Sequence, residues 1–197
     1  MPPAGKRESV RREQLVEATL RLIERGGVDA VTHRAAAAEA GVAAASTTYY
    51  FDSKQALVQE ALELVIERST ALLRRHTAVT GTVTRAELVD RLAALSAAQL
   101  GDATAPLIVQ FELMLEAGRR PELRPLAERW EIAYMDGLAG LVLAAGLPHA
   151  TVTLVASVLE GALLSQLSLP RERFVEDHLR PQLVALVQAA SAAPPYH

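Results

Sequence analysis

Apolar positions along the chain recur at spacings of three and four, and no stretch alternates apolar and polar residues as a half-buried strand does. The pattern predicts helices throughout. Ser9 can cap a first helix that reaches Arg25, with Leu15, Ala18, Leu22 and the neighbouring Thr19 and Ile23 on one stripe; Gly26-Gly27 ends it. Two short helices are expected over 33–40 and 44–50, then a long one over 53–76 whose broad apolar face is Leu57, Ala61, Leu64 with Val58, Leu62, Val65. Thr84 caps the next, which breaks at Gly101-Asp102. Pro106 suits the first turn of another, ending at Gly118. Pro121 opens a helix that carries Leu126, Trp130, Tyr134 and Leu138 at intervals of four. Residues 150–169 are apolar on nearly every face, so a helix buried almost all round is expected there. A last helix ends near Ala190 and should kink or split near Arg180, because Pro181 has no N–H to donate.

The most informative stretch is 31–54, VTHRAAAAEAGVAAASTTYYFDSK. Thr32 is a good N-cap for the first short helix, Ala36, Ala37 and Ala40 can share its packing face, and Gly41 stands where the chain must reverse. Small residues let two backbones approach closely, so the alanine run reads as packing rather than low complexity. Two short helices crossing steeply through such residues form a helix-turn-helix, whose second helix fits the major groove. That second helix holds Ser46, Thr47, Thr48, Tyr49 and Tyr50, and Lys54 opens the helix after it, which Asp52 or Ser53 can cap. Hydroxyls, phenols and an ammonium suit phosphate oxygens, so Thr32, Thr48, Tyr49, Tyr50 and Lys54 are expected to fix docking. Ser46, Thr47 and the methyls of Ala44 and Ala45 are the expected base readers, and His33 and Arg34 complete the candidate DNA-contacting set.

The segment AGVAAASTTYYFDSKQALVQEAL resembles the DNA-binding signature of the TetR family of transcriptional regulators: an A-G-V turn, a recognition helix ending in an aromatic pair plus Phe, and an S-K helix start. The motif covers about a quarter of the chain. Two positions depart from the pattern: Ala36 stands where relatives often carry Ile or Val, and Ala43, Ala44 and Ala45 stand where they often carry polar or basic residues. The resemblance implies an all-α fold, with a three-helix helix-turn-helix head and a larger six-helix body for ligand binding and dimerisation. It also implies a sequence-specific, ligand-responsive repressor that binds a palindromic operator on double-stranded DNA as a homodimer, joined through its last two long helices. The expected layout is a disordered basic arm over 1–8, a head over 9–54 with its motif at 32–51, a body over 55–191 and a loose tail over 192–197. In the family the body encloses a small-molecule cavity. Gln110, Phe111 and Met114 on one helix, Trp130 and Tyr134 on the next, and Glu160 beyond them are the candidate lining here, for a largely apolar effector.

Charge and composition add limits. The chain of 197 residues has a formal net charge of −3, so it is not a globally basic nucleic-acid binder. Residues 1–60 hold eight Lys/Arg against eight Asp/Glu, while the first twelve residues alone set Lys6, Arg7, Arg11 and Arg12 against Glu8. A basic arm of that kind can reach phosphates or the minor groove. The near-neutral head and the alanine-rich recognition helix support a competing reading, a helical sensor or adaptor whose head binds a protein. A membrane-bound bundle is a third. Over 137–170 Glu160 is the only charged residue, but Gly146-Leu147-Pro148 interrupts the run and no Lys/Arg cluster marks one side, so no membrane partner is expected. Zero cysteines exclude disulfides and fit a reducing, cytoplasmic setting. The five histidines show no metal-ligand spacing, Glu112 and Glu116 read as a solvated helix face, and no nucleophile elbow, P-loop or dinucleotide fingerprint occurs. No cofactor and no enzymatic activity are expected.

Overall fold

The computed structural model describes residues 4–101 and 104–192. Among them are nine α-helices and no strand: α1 (Ala4–Gly26), α2 (His33–Ala40), α3 (Ala44–Tyr50), α4 (Lys54–Thr77), α5 (Arg85–Leu100), α6 (Thr104–Arg119), α7 (Arg124–Ala144), α8 (Ala150–Ser168) and α9 (Arg180–Ala192). The chain divides into two compact units. The first holds residues up to 68 together with 105–128; the second holds 69–104 and the chain from 129 onward. The first unit thus reaches past the head boundary expected at Lys54 and takes in α6.

In the first unit Leu15, Ala18, Thr19 and Ile23 of α1 are buried together with Val28, Val31, Ala36, Ala37, Phe51, Leu57, Ala61 and Leu62. Thr19 satisfies its hydroxyl by donating to the Leu15 carbonyl at 2.8 Å, which is how a polar residue sits inside an apolar stripe at little cost. The arm expected over 1–8 is different. Residues 1–3 lie outside the described residues, and 4–8 are the first turns of α1. Lys6, Arg7 and Glu8 are good helix formers, and Ser9 donates to Glu13 Oε1 at 2.9 Å instead of capping. Arg12 pairs with Glu60 and lies over the Phe51 ring, 5.6 Å from its centroid, so it is committed within the unit.

In the second unit Leu73, Leu88, Leu92, Leu95, Trp130, Tyr134, Leu138, Leu141, Val155, Leu159, Leu179 and Leu183 are buried. Thr84 and Glu87 form a reciprocal capping box at the start of α5. Gly137 permits the approach of α4 to α7: a Cβ there would lie 3.0 Å from Leu73 Cδ2 and 3.2 Å from Thr77 Oγ1. Gly146, at φ 70°, breaks the apolar run after α7, where Leu147 N–H bonds back to the Val142 carbonyl.

Two expectations about the last helices meet different outcomes. Pro181 is the second residue of α9, and the chain just before it, Val175–Leu179, is a π-helical turn. The missing N–H is accommodated by this change of hydrogen-bond register. By contrast α8 is not buried all round. It is long and apolar enough to cross a membrane by length and composition, yet only 33% of its apolar window is buried. Thr151, Val152, Val155, Ala156, Leu159 and Leu163 face the core, while Leu154 and Leu164 are 56% and 50% exposed. The sequence shows apolarity on both faces but not that the unit supplies cover for one of them.

Candidate functional site

The turn from α2 into α3 is built from backbone chemistry. Thr32 Oγ1 accepts the Ala35 N–H at 3.0 Å and opens α2. Gly41, at φ 67° and ψ 30°, closes it: its N–H reaches the Ala38 carbonyl at 3.2 Å and the Val42 N–H reaches the Ala37 carbonyl at 3.0 Å. An L side chain at Gly41 would be strained in that left-handed conformation. Ala36 and Ala37 are buried, and α2 contacts both α1 and α3. On the outer edge Arg21 and Arg25 of α1 both bind Glu39 of α2, Arg21 at 2.8 Å. These guanidiniums, Arg25 first and then Arg21, hold the Glu39 carboxyl below the usual carboxylate range.

The α3 side chains divide into an inner and an outer set. Ala44, Ala45 and Thr48 are exposed, Tyr49 is 71% exposed, and Ser46 and Tyr50 are half-buried. Thr48 donates to the Ala45 carbonyl at 3.1 Å. The Tyr49 and Tyr50 rings meet edge to face with centroids 4.9 Å apart. Thr47 is fully buried and its hydroxyl donates to the His33 carbonyl at 3.3 Å. It ties α3 to α2, so its expected role as a base reader is corrected to a packing role; in a helix this short, the side chain pointing at the neighbour cannot also face outward. Thr32 and Arg34 are exposed, and His33 is half-buried with its Nδ1 enclosed and without a partner. Ser53 Oγ caps α4 by accepting from Ala56 N–H at 3.1 Å. Lys54 is half-buried and its Nζ donates to the Asp29 carbonyl at 3.4 Å.

Glu116 was expected on a solvated face and is instead buried at 7% exposure. Arg119 binds its Oε1 at 2.8 Å, and Arg120 Nε lies 2.6 Å from its Oε2 as an ionic contact without hydrogen-bond alignment. Arg120 also reaches Asp29 at 2.9 Å, next to the residues that support Lys54. The pairs within 116–120 have helical spacing and could be found in the sequence. The link from Arg120 to Asp29 spans ninety-one positions and has no local signal.

Of the candidate ligand residues, Gln110 is buried, Phe111 half-buried and Met114 39% exposed, all on α6 in the first unit. Trp130, Tyr134 and Glu160 belong to the second unit. There Trp130 and Tyr134 are buried and stacked, with centroids 5.5 Å apart and planes at 20°. Burial, then Glu160, then Glu131 push the Tyr134 phenol well above its ordinary range. Glu160 itself is exposed, and its carboxyl is raised by partial desolvation and by Glu131. Glu131 carries no sequence signal for this role, since only the fold brings its charge to bear on Glu160. Elsewhere in the unit an open cleft of about 530 Å³ lies between α5 and α9, walled by Val89, Val184 and Val187 and edged by Arg85 and the Asp90–Arg180 pair.

Residues 15–61 match the family described as bacterial regulatory proteins, tetR family, and residues 83–191 match the tetracyclin repressor-like C-terminal domain. The chain is similar to the HTH-type transcriptional regulator BetI of Burkholderia thailandensis, 34% identical over 102 residues, which is 52% of this chain and 50% of that protein. It therefore spans about half the length of the curated relatives it matches first. Among solved structures, a member of the TetR family from Streptomyces coelicolor A3 is 30% identical with a TM-score of 0.70, covering 89% of this chain and 97% of that one. The multidrug binding protein EbrR, complexed with ethidium, is also 30% identical, with a TM-score of 0.67 and the same shares covered.

Proposed function

From membership of the TetR family of bacterial regulatory proteins, to which this chain belongs, we propose that it is a ligand-responsive transcriptional repressor working in the cytoplasm, which binds a palindromic operator as a homodimer. The observation that carries the reading is the outward face of α3, where Ala44, Ala45, Thr48 and Tyr49 stand exposed on a helix locked from behind by Thr47 and Gly41. A rigid helix with methyls and hydroxyls outward suits a major groove. Thr32, Thr48, Tyr49, Tyr50 and Lys54 contact phosphates, with His33 and Arg34 beside them. Ser46 and the methyls of Ala44 and Ala45 read base edges, the methyls against thymine.

One such helix contacts few base pairs, so two half-sites are needed for useful affinity. The dimer forms through α8 and α9, whose uncovered side chains include Leu154, Leu164 and Val184. An effector that prefers a body conformation in which the two heads are held at a different separation lowers DNA affinity, and operator DNA lowers effector affinity by the same factor. The ethidium complex of EbrR supports a small-molecule effector for this chain.

The test is selection of bound sequences from a random duplex pool, followed by a salt titration of the winner. The expected result is a two-fold symmetric consensus bound by a species of twice the chain mass, with a salt slope that falls by roughly one on Lys54→Ala. A head that binds protein rather than DNA would enrich no sequence and give no salt-dependent shift.

A further inference from the structure

The open cleft of about 530 Å³ between α5 and α9 has a lining that includes none of the residues expected to hold an effector. It is a separate concavity of small-molecule size, and both helices belong to the second unit. Along α9 the lining runs from Arg180 to Ala192, a wall roughly 18 Å long at the helical rise per residue. The apolar side chains that face it are Val89 and Val187, both nearly buried, and Val184, which is 38% exposed. A molecule seated there would therefore cover apolar surface that the unit leaves partly open.

The polar groups around the cleft are unequally satisfied. Arg180 is held by Asp90 and, at 3.0 Å, by Glu176. Glu87 is taken up by the Thr84 cap, and Ser191 gives its hydroxyl proton to the Val187 carbonyl at 2.6 Å. Arg85 and Gln188 are exposed and have no ion-pair or hydrogen-bond partner among the described residues. Arg85 is also the first residue of α5, where the helix dipole adds to its positive potential instead of offsetting it. The uncompensated charge at the cleft is thus one guanidinium, with a free amide also on the lining.

Four kinds of occupant differ in how they meet these groups. A neutral apolar molecule would cover the valines but strip water from Arg85 and return nothing for it. A cation would be repelled by Arg85 and find Asp90 already neutralised by Arg180. A second copy of the chain competes for Val184, which belongs to the apolar surface offered for pairing, but packing there would bury the Arg85 charge without a partner. A carboxylate on an apolar body answers both halves of the cleft, since a guanidinium takes a carboxylate through paired hydrogen bonds. We propose that the cleft binds an amphipathic carboxylate, with its head group on Arg85 and Gln188 and its carbon chain along Val89, Val184 and Val187. This site is additional to the effector reading and does not depend on it.

Calorimetric titration of the full-length protein with decanoate is expected to show saturable binding. Decanamide, the same carbon chain with a neutral head, is expected to bind at least about ten-fold more weakly. Arg85→Gln should bring decanoate down to the level of decanamide and leave decanamide unchanged. Its unfolding midpoint should be no lower than that of the parent chain, because Arg85 has no partner to lose. Absence of decanoate binding, equal affinity for the two probes, or a preference that survives in Arg85→Gln would overturn the proposal. Decanoate that binds the Leu154→Glu chain but not the parent would overturn it too, by showing that a second copy fills the cleft. The titration contains no DNA, so its failure leaves the repressor reading standing, and failure to select an operator leaves the cleft site standing.

Discussion

The short helices α2 and α3 of the first unit and the long helices of the second are fixed by different means. Around α2 and α3 the stabilising contacts are small and directional: the Thr32 cap, the Gly41 closure, the Thr47 hydroxyl on His33, and Glu39 held by Arg21 and Arg25. Such short helices bury too little surface to be held by packing alone, so α2 is capped by Thr32 and closed by Gly41, while α3, which has no side-chain cap, is tied down by the Thr47 hydroxyl. In the second unit large side chains fill the interior and the caps matter less. There the unusual feature lies outside, where α8 leaves Leu154 and Leu164 uncovered. A region stabilised by directional contacts presents a defined shape; a region stabilised by apolar burial, with more apolar surface than it can bury, is ready for a second apolar face.

The sharpest way to separate the regions is Trp130→Ala. Truncating a fully buried indole should cost about 3–5 kcal/mol of stability, and hydrogen exchange should show the lost protection in α7 and α5 before α2. A cost below about 1 kcal/mol would mean that the stack does not organise the second unit. Next comes the pair Leu154→Glu and Leu164→Glu. Because both side chains are half exposed or more, the fold should survive, while sedimentation should give a monomer and operator affinity should fall about 100-fold or more as bivalent binding is lost. An unchanged dimer would move the interface off α8.

A smaller effect is expected from Gly41→Ala, about 1–2 kcal/mol for forcing a side chain into the left-handed region, with weaker DNA binding and an unchanged solution mass. If DNA binding were unaffected, the α2–α3 turn would not be what orients the recognition helix. The subtlest contrast is in pH. Glu39 has a lowered folded value, so its contribution is present above the ordinary carboxylate range and is lost as pH falls through that lowered value. Glu160, facing Glu131 and the Tyr134 phenol, has a raised value, so its penalty is relieved as pH falls through the raised range. Equilibrium unfolding against pH should therefore lose an acid-side decline in Glu39→Gln and a neutral-side penalty in Glu160→Gln. Parallel curves for the parent and both variants would contradict the two shifts.

Much of this was legible from local patterns. The limits of α2 follow from Thr32 and Gly41, the start of α5 from the Thr84 and Glu87 spacing, and the disturbance before α9 from Pro181, because each depends on groups within four or five residues of one another. The candidate DNA surface was legible only in part. The pattern places the helix but not which of its hydroxyls faces inward, because Ser46, Thr47 and Thr48 are chemically alike until a neighbour is specified. Glu116 likewise carries no local sign of its burial or of its pairing with Arg119 and Arg120.

What the amino-acid order determined by itself was where helices begin and end, because caps, glycine reversals and a missing proline N–H act over one or two turns. The tertiary structure alone decided which polar groups meet across long separations. Asp29 finds Arg120, Arg12 finds Glu60, and Glu131 comes to bear on Glu160 and Tyr134. A charge carries no label for its partner, and its field weakens with distance and is screened over roughly 8–10 Å at physiological salt, so only the packed chain can say which charges feel one another.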